Sequence, residues 1–306
     1  MQPSSAAVVA SRPESCHAHE ARGATVTLLV TGAGGFVGRR LAALIGDREE
    51  LLVAHRWSGP AQLSALLGDA TPSACIHLGW YADPRDYLVN PTENLASLRS
   101  SLELLEELTR RGCRHLVASG TCAEYAPSSQ PLREVDRIAP WSVYAAAKHS
   151  FATLAASSLA DAGPQLAWAR IFNVSGPGEH QDRLFPWVVR QVRSGASVPL
   201  TDGRQRRDYL DVDDVARALL ALSDARAVGT FNVCSGQDVE LRAALLRLID
   251  GVGSSRLLQF GACERGPRDQ DVVVGTPEAL QQATSWAPEH SLDAILDRAR
   301  TWALSL

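Results

Sequence analysis

Tyr144 and Lys148 stand four residues apart in Tyr144-Ala145-Ala146-Ala147-Lys148. On a helix that spacing puts both side chains on one face. A lysine ammonium beside a phenol favours the phenolate and draws the tyrosine pKa down from about 10. Such a tyrosine exchanges a proton with a substrate hydroxyl or carbonyl near neutral pH. Alone the pattern is common, and it equally describes a surface Tyr/Lys pair. A second group of residues gives it a setting. Thr31-Gly32-Ala33-Gly34-Gly35-Phe36-Val37-Gly38 carries Gly32, Gly35 and Gly38 in GxxGxxG spacing. Glycines allow a tight turn and let the backbone approach a pyrophosphate.

The elements around these residues supply the context both motifs need. Thr25–Val30 is a continuous apolar strand and 35–45 reads as a helix, so the glycine loop joins strand to helix N-terminus, where free N–H groups and the helix dipole favour an anion. Strands follow at 51–55, 74–78 and 115–119, with a long amphipathic helix over 93–111. A further helix over 141–160 holds Tyr144 and Lys148, and a strand covers 166–172. Strand and helix alternating in this way predict a Rossmann-type α/β fold, a doubly wound parallel sheet with a smaller interleaved C-terminal substrate lobe. The expected division is a disordered leader over 1–23 and a dinucleotide-binding domain over 24–173, to which 211–236 returns. The lobe takes 174–210 and 237–306. Segment 174–210 is rich in Pro, Gly and Arg and shows little periodicity.

Bulk properties exclude several classes. The 306 residues are 45% hydrophobic and 21% charged with net charge −4, which fits a globular enzyme and gives no basic field for nucleic acid or an anionic membrane. No apolar run is long enough to span a bilayer. Six cysteines are scattered without CxxC or CxxH spacing, so no zinc site and a reducing, cytoplasmic setting are expected. Cys16-His17-Ala18-His19 lies in a polar tail and is not assigned a metal.

Taken in order, TGAGGFVG (31–38), SGTCAEY (119–125), YAAAK (144–148), RIFNVSGPG (170–178), RRDYLDVDD (206–214) and SWAP (285–288) resemble the extended short-chain dehydrogenase/reductases, also called the NAD-dependent epimerase/dehydratase family. The resemblance covers about residues 25–300. It implies a nicotinamide cofactor held by Gly32, Gly35, Phe36, Val37, Gly38 and Arg39, by His55 and Arg56 after the second strand, and by Leu78 and Gly79 after the third. Tyr144 and Lys148 complete that set, the lysine reaching the nicotinamide ribose. Enzymes using NAD usually carry an acid at the end of the second strand. Here Ala54-His55-Arg56-Trp57 has none, and Arg56 suits a 2′-phosphate, with Arg39 and Arg40 adding positive charge. NADP(H) is therefore expected, with NAD(H) left open.

The resemblance also implies a hydroxyl that polarises the reacting carbonyl, matched by Thr121 with Ser119 as fallback. Asn94 matches a structural asparagine. For the diphosphate of a nucleotide sugar it implies Asn173, Arg207 and Arg268, with Arg265 as fallback, since a guanidinium bonds phosphate oxygens bidentately. Trp80 and Tyr81 are placed in the sugar pocket, although core packing explains them as well. Asp211, Asp213 and Asp214 are expected to cap the following helix. Dehydratases of the family follow the threonine with Asp-Glu, whereas this chain has Cys122-Ala123. No confident adenine-contacting Asp stands between Ala54 and Cys75, and Asp69 is a poor substitute. The expectation is an NADPH-dependent reductase of a nucleotide-activated 4-keto-6-deoxyhexose, with Tyr144 as proton donor. A 4-epimerase with tightly bound NAD, a reductase of a non-sugar ketone and a non-catalytic Rossmann binding protein stay open. Helices 93–111 and 141–160 would build a homodimer.

Overall fold

The structure is a computed structural model and describes residues 27–46, 50–54, 57–158, 163–266 and 268–306. The leader and the pair His55 and Arg56, on which the NADP(H) expectation chiefly rests, lie outside them. In chain order the first half runs β1 (Thr27–Thr31), α1 (Phe36–Ile45), β2 (Glu50–Ala54), α2 (Pro60–Leu67), β3 (Ala74–His77), α3 (Pro91–Arg110), β4 (His115–Thr121), α4 (Val143–Ser158) and β5 (Gln165–Ile171). The second half runs β6 (Asn173–Ser175), α5 (Leu184–Arg193), β7 (Val198–Leu200), β8 (Arg206–Arg207), β9 (Tyr209–Asp211), α6 (Val212–Asp224), β10 (Gly229–Val233), β11 (Val239–Glu240), α7 (Leu241–Leu248), β12 (Leu258–Phe260), β13 (Val272–Val273), α8 (Glu278–Thr284) and α9 (Leu292–Leu304).

The main sheet has six strands in the order β10-β5-β4-β3-β1-β2, every neighbouring pair parallel. Parallel strands buried on both faces need apolar residues at every position, and β3 and β4 are buried almost throughout. One face packs α1, α6 and α8 through Leu41, Ile45, Val215, Leu219 and Leu280. The other packs α2, α3 and α4 through Leu63, Leu67, Leu104, Leu108 and Phe151. Strand order reverses between β1 and β3, the place where a doubly wound sheet opens a crevice at its carboxyl edge.

Two helices were not expected. Pro60 opens α2, with Leu63 and Leu67 buried one turn apart and Gly68 closing it. Eight residues give too short a periodic run to stand out. In α5, Phe185, Val188, Val189 and Val192 form a buried stripe. Its Pro186 sits in the first turn, where a missing N–H costs nothing, so proline and flanking polar residues hid a well-formed helix. That stripe joins α7 and α9 in a separate lobe core with Leu245, Leu248, Leu296 and Ala299.

Candidate active site

At the carboxyl edge of β1 two backbones meet. Gly32 adopts φ +72°, and a Cβ there would lie 2.7 Å from the Gly79 nitrogen in the loop after β3. A Cβ on Gly38 would lie 2.1 Å from the Gly32 carbonyl oxygen. Both positions therefore admit only glycine. Gly35 is the N-cap of α1 and no side chain among the described residues caps that helix, so its first-turn N–H groups face the loop. The loop after β3 is pinned from below. Ser101 Oγ donates to the Ser97 carbonyl (2.8 Å), so His77 Nε2 donates to Ser101 (2.8 Å) and Nδ1 accepts from Thr31 Oγ1 (2.6 Å). Burial and the Lys148 charge push His77 down to about 3, which keeps this chain neutral. Thr31 Oγ1 then accepts the Gly79 N–H at 3.3 Å. Sequence reading missed His77, whose only signal was a lone histidine ending an apolar strand.

Arg39 bonds the Gly34 carbonyl (2.7 Å) and the Gly178 carbonyl (3.2 Å), bridging the glycine loop to the loop after β6. Arg40 adds no free charge here, because it is paired with Asp213.

Thr121 ends β4. Its Oγ1 accepts the Ala123 N–H (3.2 Å) and its own N–H donates to Glu124 (2.9 Å), a reciprocal cap that fixes the hydroxyl. Glu124 is fully buried and also receives Trp168 Nε1 (3.1 Å) and Arg170 Nε (3.1 Å). Lys148 Nζ donates to the Ser119 carbonyl (2.6 Å) and to Ser119 Oγ (2.9 Å), and sits 4.7 Å from the Trp80 ring centre. Burial pushes Lys148 down to about 7, against the Glu124 carboxylate, which raises it. Trp80 donates to Asn94 (3.0 Å), whose amide is bound to the Tyr87 and Asn90 carbonyls, a structural role.

One expectation is corrected. Lys148 does not draw the Tyr144 phenol down: its ammonium is committed to Ser119 and lies 5.7 Å from the Tyr144 ring centre. Burial, reinforced by Tyr87, holds the phenol above its ordinary value. A tyrosine protonated at neutral pH is the form that donates to a carbonyl oxygen.

These groups share one cavity of about 1260 Å³. Its walls include Gly32, Gly35, Phe36, Val37, Gly38, Arg39, Leu78, Trp80, Ser119, Thr121, Tyr144 and Lys148 from the sheet half. Asn173, Arg207 and Arg268 line it from the lobe. Gly79 supports that wall without lining it, and the fallback Arg265 is turned to Asp202 and Asp271. Asn173 Nδ2 donates to the Asp208 carbonyl at 2.9 Å. Arg207 is ion-paired with Asp269 (2.6 Å) and bonds the Gln270 carbonyl (2.9 Å), while Arg268 bonds the Trp141 carbonyl (2.7 Å). Arg183 and Glu179 also line it and were not anticipated. Arg183 rests on the Tyr87 ring, 4.6 Å from its centre. Glu179 is buried, accepts from Ser175 Oγ (2.7 Å) and is pushed up to about 7 by burial. Asp211, Asp213 and His290 cluster closely enough for a metal, but Asp211 caps α6 and Arg40 and Arg298 already neutralise the two carboxylates. No helix among the described residues is long and apolar enough to cross a membrane.

Sheet order, glycine loop and the Thr121, Tyr144 and Lys148 grouping define a Rossmann-type enzyme. A sequence profile of the NAD dependent epimerase/dehydratase family matches residues 28–234, and the chain belongs to that family of NAD(P)-dependent enzymes. It is 29% identical to a GDP-6-deoxy-D-mannose reductase of Pseudomonas aeruginosa over 89% of this chain and 96% of that one. With a UDP-glucose 4-epimerase of Corynebacterium glutamicum it shares 25% identity over 91% and 95% of the two chains. The structure of RMD from Pseudomonas aeruginosa complexed with NADPH superimposes with TM-score 0.80 at 26% identity, covering 92% of this chain and all (100%) of that one.

Proposed function

We propose that the chain is an NADPH-dependent reductase of a nucleotide-activated 4-keto-6-deoxyhexose. The observation that carries the reading is one cavity joining a glycine cradle, a half-buried tyrosine and the arginines of the lobe. A dinucleotide fits the sheet half, because Gly32 and Gly38 let the loop turn tightly against the backbone after β3 and α1 begins uncapped at its edge. Bound there, a dihydronicotinamide would supply hydride to the sugar carbonyl carbon. Thr121 holds the carbonyl oxygen, Tyr144 donates its proton to that oxygen, and Lys148 fixes the adjoining ribose and Ser119. Asn173, Arg207 and Arg268 form the wall for the substrate diphosphate. The likeness to the Pseudomonas reductase supports reduction over epimerisation. Loss of water from the sugar is disfavoured, since Cys122-Ala123 follow the threonine and the neighbouring Glu124 is locked to Arg170 and Trp168.

The test follows absorbance of NADPH with GDP- and dTDP-4-keto-6-deoxyhexoses, alongside titration of the protein with NADPH and NADH. Substrate-dependent oxidation of NADPH, with at least tenfold tighter binding of NADPH (about 1.4 kcal/mol), supports the reading. NAD that co-purifies and does not exchange, with interconversion of UDP-hexoses, replaces it by the 4-epimerase.

A further inference from the structure

The cavity-lining arginines differ in how firmly they are held. Arg207 is ion-paired with Asp269, and Arg39 bridges two carbonyls. Arg183, the N-cap residue of α5, has the loosest grip: Nη1 is 3.3 Å from the Tyr87 hydroxyl and Nη2 is 3.5 Å from the Ala82 carbonyl. Among the described residues no ion pair joins it to a carboxylate. Its guanidinium lies over Tyr87, and the Tyr87 ring meets Tyr144 edge-on, centres 5.0 Å apart at 81°. Arg183, Tyr87 and Tyr144 thus form a continuous row along the cavity wall.

We propose that Arg183 takes the diphosphate of the substrate, and that Tyr87 is a positioning residue linking that cation to the proton donor Tyr144. This rests on the nucleotide-sugar reading above. A guanidinium over an aromatic ring is held less strongly than one making paired charge-assisted bonds to phosphate oxygens, so phosphate wins Arg183 from Tyr87. The spacing suits a hexose. Arg183 and Tyr144 are separated by one aromatic ring, and C1 and C4 are opposite corners of a sugar ring. A sugar whose anomeric diphosphate meets Arg183 presents its C4 carbonyl towards Tyr144. Arg207, already neutralised by Asp269, stiffens the wall and contributes less to phosphate affinity. Tyr87, packed between the two groups, keeps Tyr144 in register with a carbonyl whose position the diphosphate sets.

The test uses full-length protein with NADPH bound. Calorimetry measures GDP, UDP, dTDP, their nucleosides and UDP-glucuronate against wild type, R183Q, R183K and Y87L. For the diphosphate that wild type prefers, R183Q is expected to bind about tenfold weaker or worse, R183K to recover part of the loss, and nucleosides to be unaffected. Y87L, which removes the ring that meets Tyr144, keeps diphosphate affinity and KM but lowers kcat several-fold, a split that a merely structural defect does not produce. Diphosphate binding by R183Q equal to wild type overturns the role of Arg183. Retention in R183Q of nucleoside diphosphates, with loss only of a nucleotide uronate, assigns the arginine to a sugar carboxylate and also overturns it. Unchanged kcat in Y87L removes Tyr87 from the scheme. Failure of wild type to bind any nucleoside diphosphate overturns the nucleotide-sugar reading itself, a result distinguishable from the others.

Discussion

The two walls of the cavity are built from different materials. The sheet-side wall is backbone: Gly32 and Gly38 bring main chains within a distance no Cβ allows, and the uncapped start of α1 presents N–H groups. The lobe-side wall is side chain, with Arg183, Arg207, Arg268 and Glu179 drawn from segments far apart in sequence. A backbone wall has one geometry and binds what every member of a fold class needs. A side-chain wall is adjustable and sets which substrate is admitted. Tyr144, Thr121 and Lys148 stand at the seam, where both must be correct for turnover.

The largest effect is expected at the seam. Tyr144→Phe removes the proton donor and should lower kcat by about 10²- to 10⁴-fold, with NADPH affinity unchanged. Turnover within tenfold of wild type moves the chemistry away from the seam. The backbone wall comes next. Gly38→Val puts carbon atoms onto the Gly32 carbonyl and should abolish measurable dinucleotide binding and lower Tm. Gly59→Ala is its control: φ is +89° with nothing among the described residues within 4 Å of a Cβ, so strain alone should cost about 1 kcal/mol and leave binding intact. If both glycine variants bind NADPH alike, the cradle is not what holds the dinucleotide. On the lobe wall effects are smaller and separable. Arg268→Ala should weaken nucleoside diphosphate binding about tenfold at unchanged Tm, since among the described residues it bonds only the Trp141 carbonyl. Arg207→Ala strands Asp269 beside the ladder of β8, β11 and β13 and should lower Tm more than affinity. The reverse pattern would exchange the two roles.

The difference between the walls also explains what the sequence disclosed. The glycine loop is local: three glycines, a strand before and a helix after lie within residues 27–45, and the conflict at Gly38 is with Gly32 six residues away. Tyr144 and Lys148 are legible for the same reason, as one helical turn. What the spacing did not convey was the electrostatics. Ser119, 29 residues before Lys148, captures its ammonium, and burial then governs Tyr144. Arg183 was invisible because its segment reads as irregular until the Phe185, Val188, Val189 and Val192 stripe is seen packed on α9. Arg207 and Arg268 were reachable through family motifs, but the Asp269 that distinguishes them gave no signal.

Glu179 offers the finest probe of the lobe wall. In the unfolded chain its carboxyl titrates at the ordinary 4.5, whereas burial, opposed by the Ser175 hydrogen bond and the Arg183 charge, pushes the folded value up to about 7. Between these values the folded state keeps a proton that the unfolded state has released. Stability contributed at this position therefore falls as pH rises from 4.5 to 7 and is flat above. Glu179→Gln keeps an acceptor for Ser175 and removes the titration. The Tm of the variant should match wild type near pH 4 and exceed it by a few degrees near pH 8, a shift corresponding to about 1–2 kcal/mol. Parallel curves across that range would mean that Glu179 ionises normally. The side-chain wall would then be as fixed in charge as the glycine wall is in shape, and its adjustability would rest on the arginines alone.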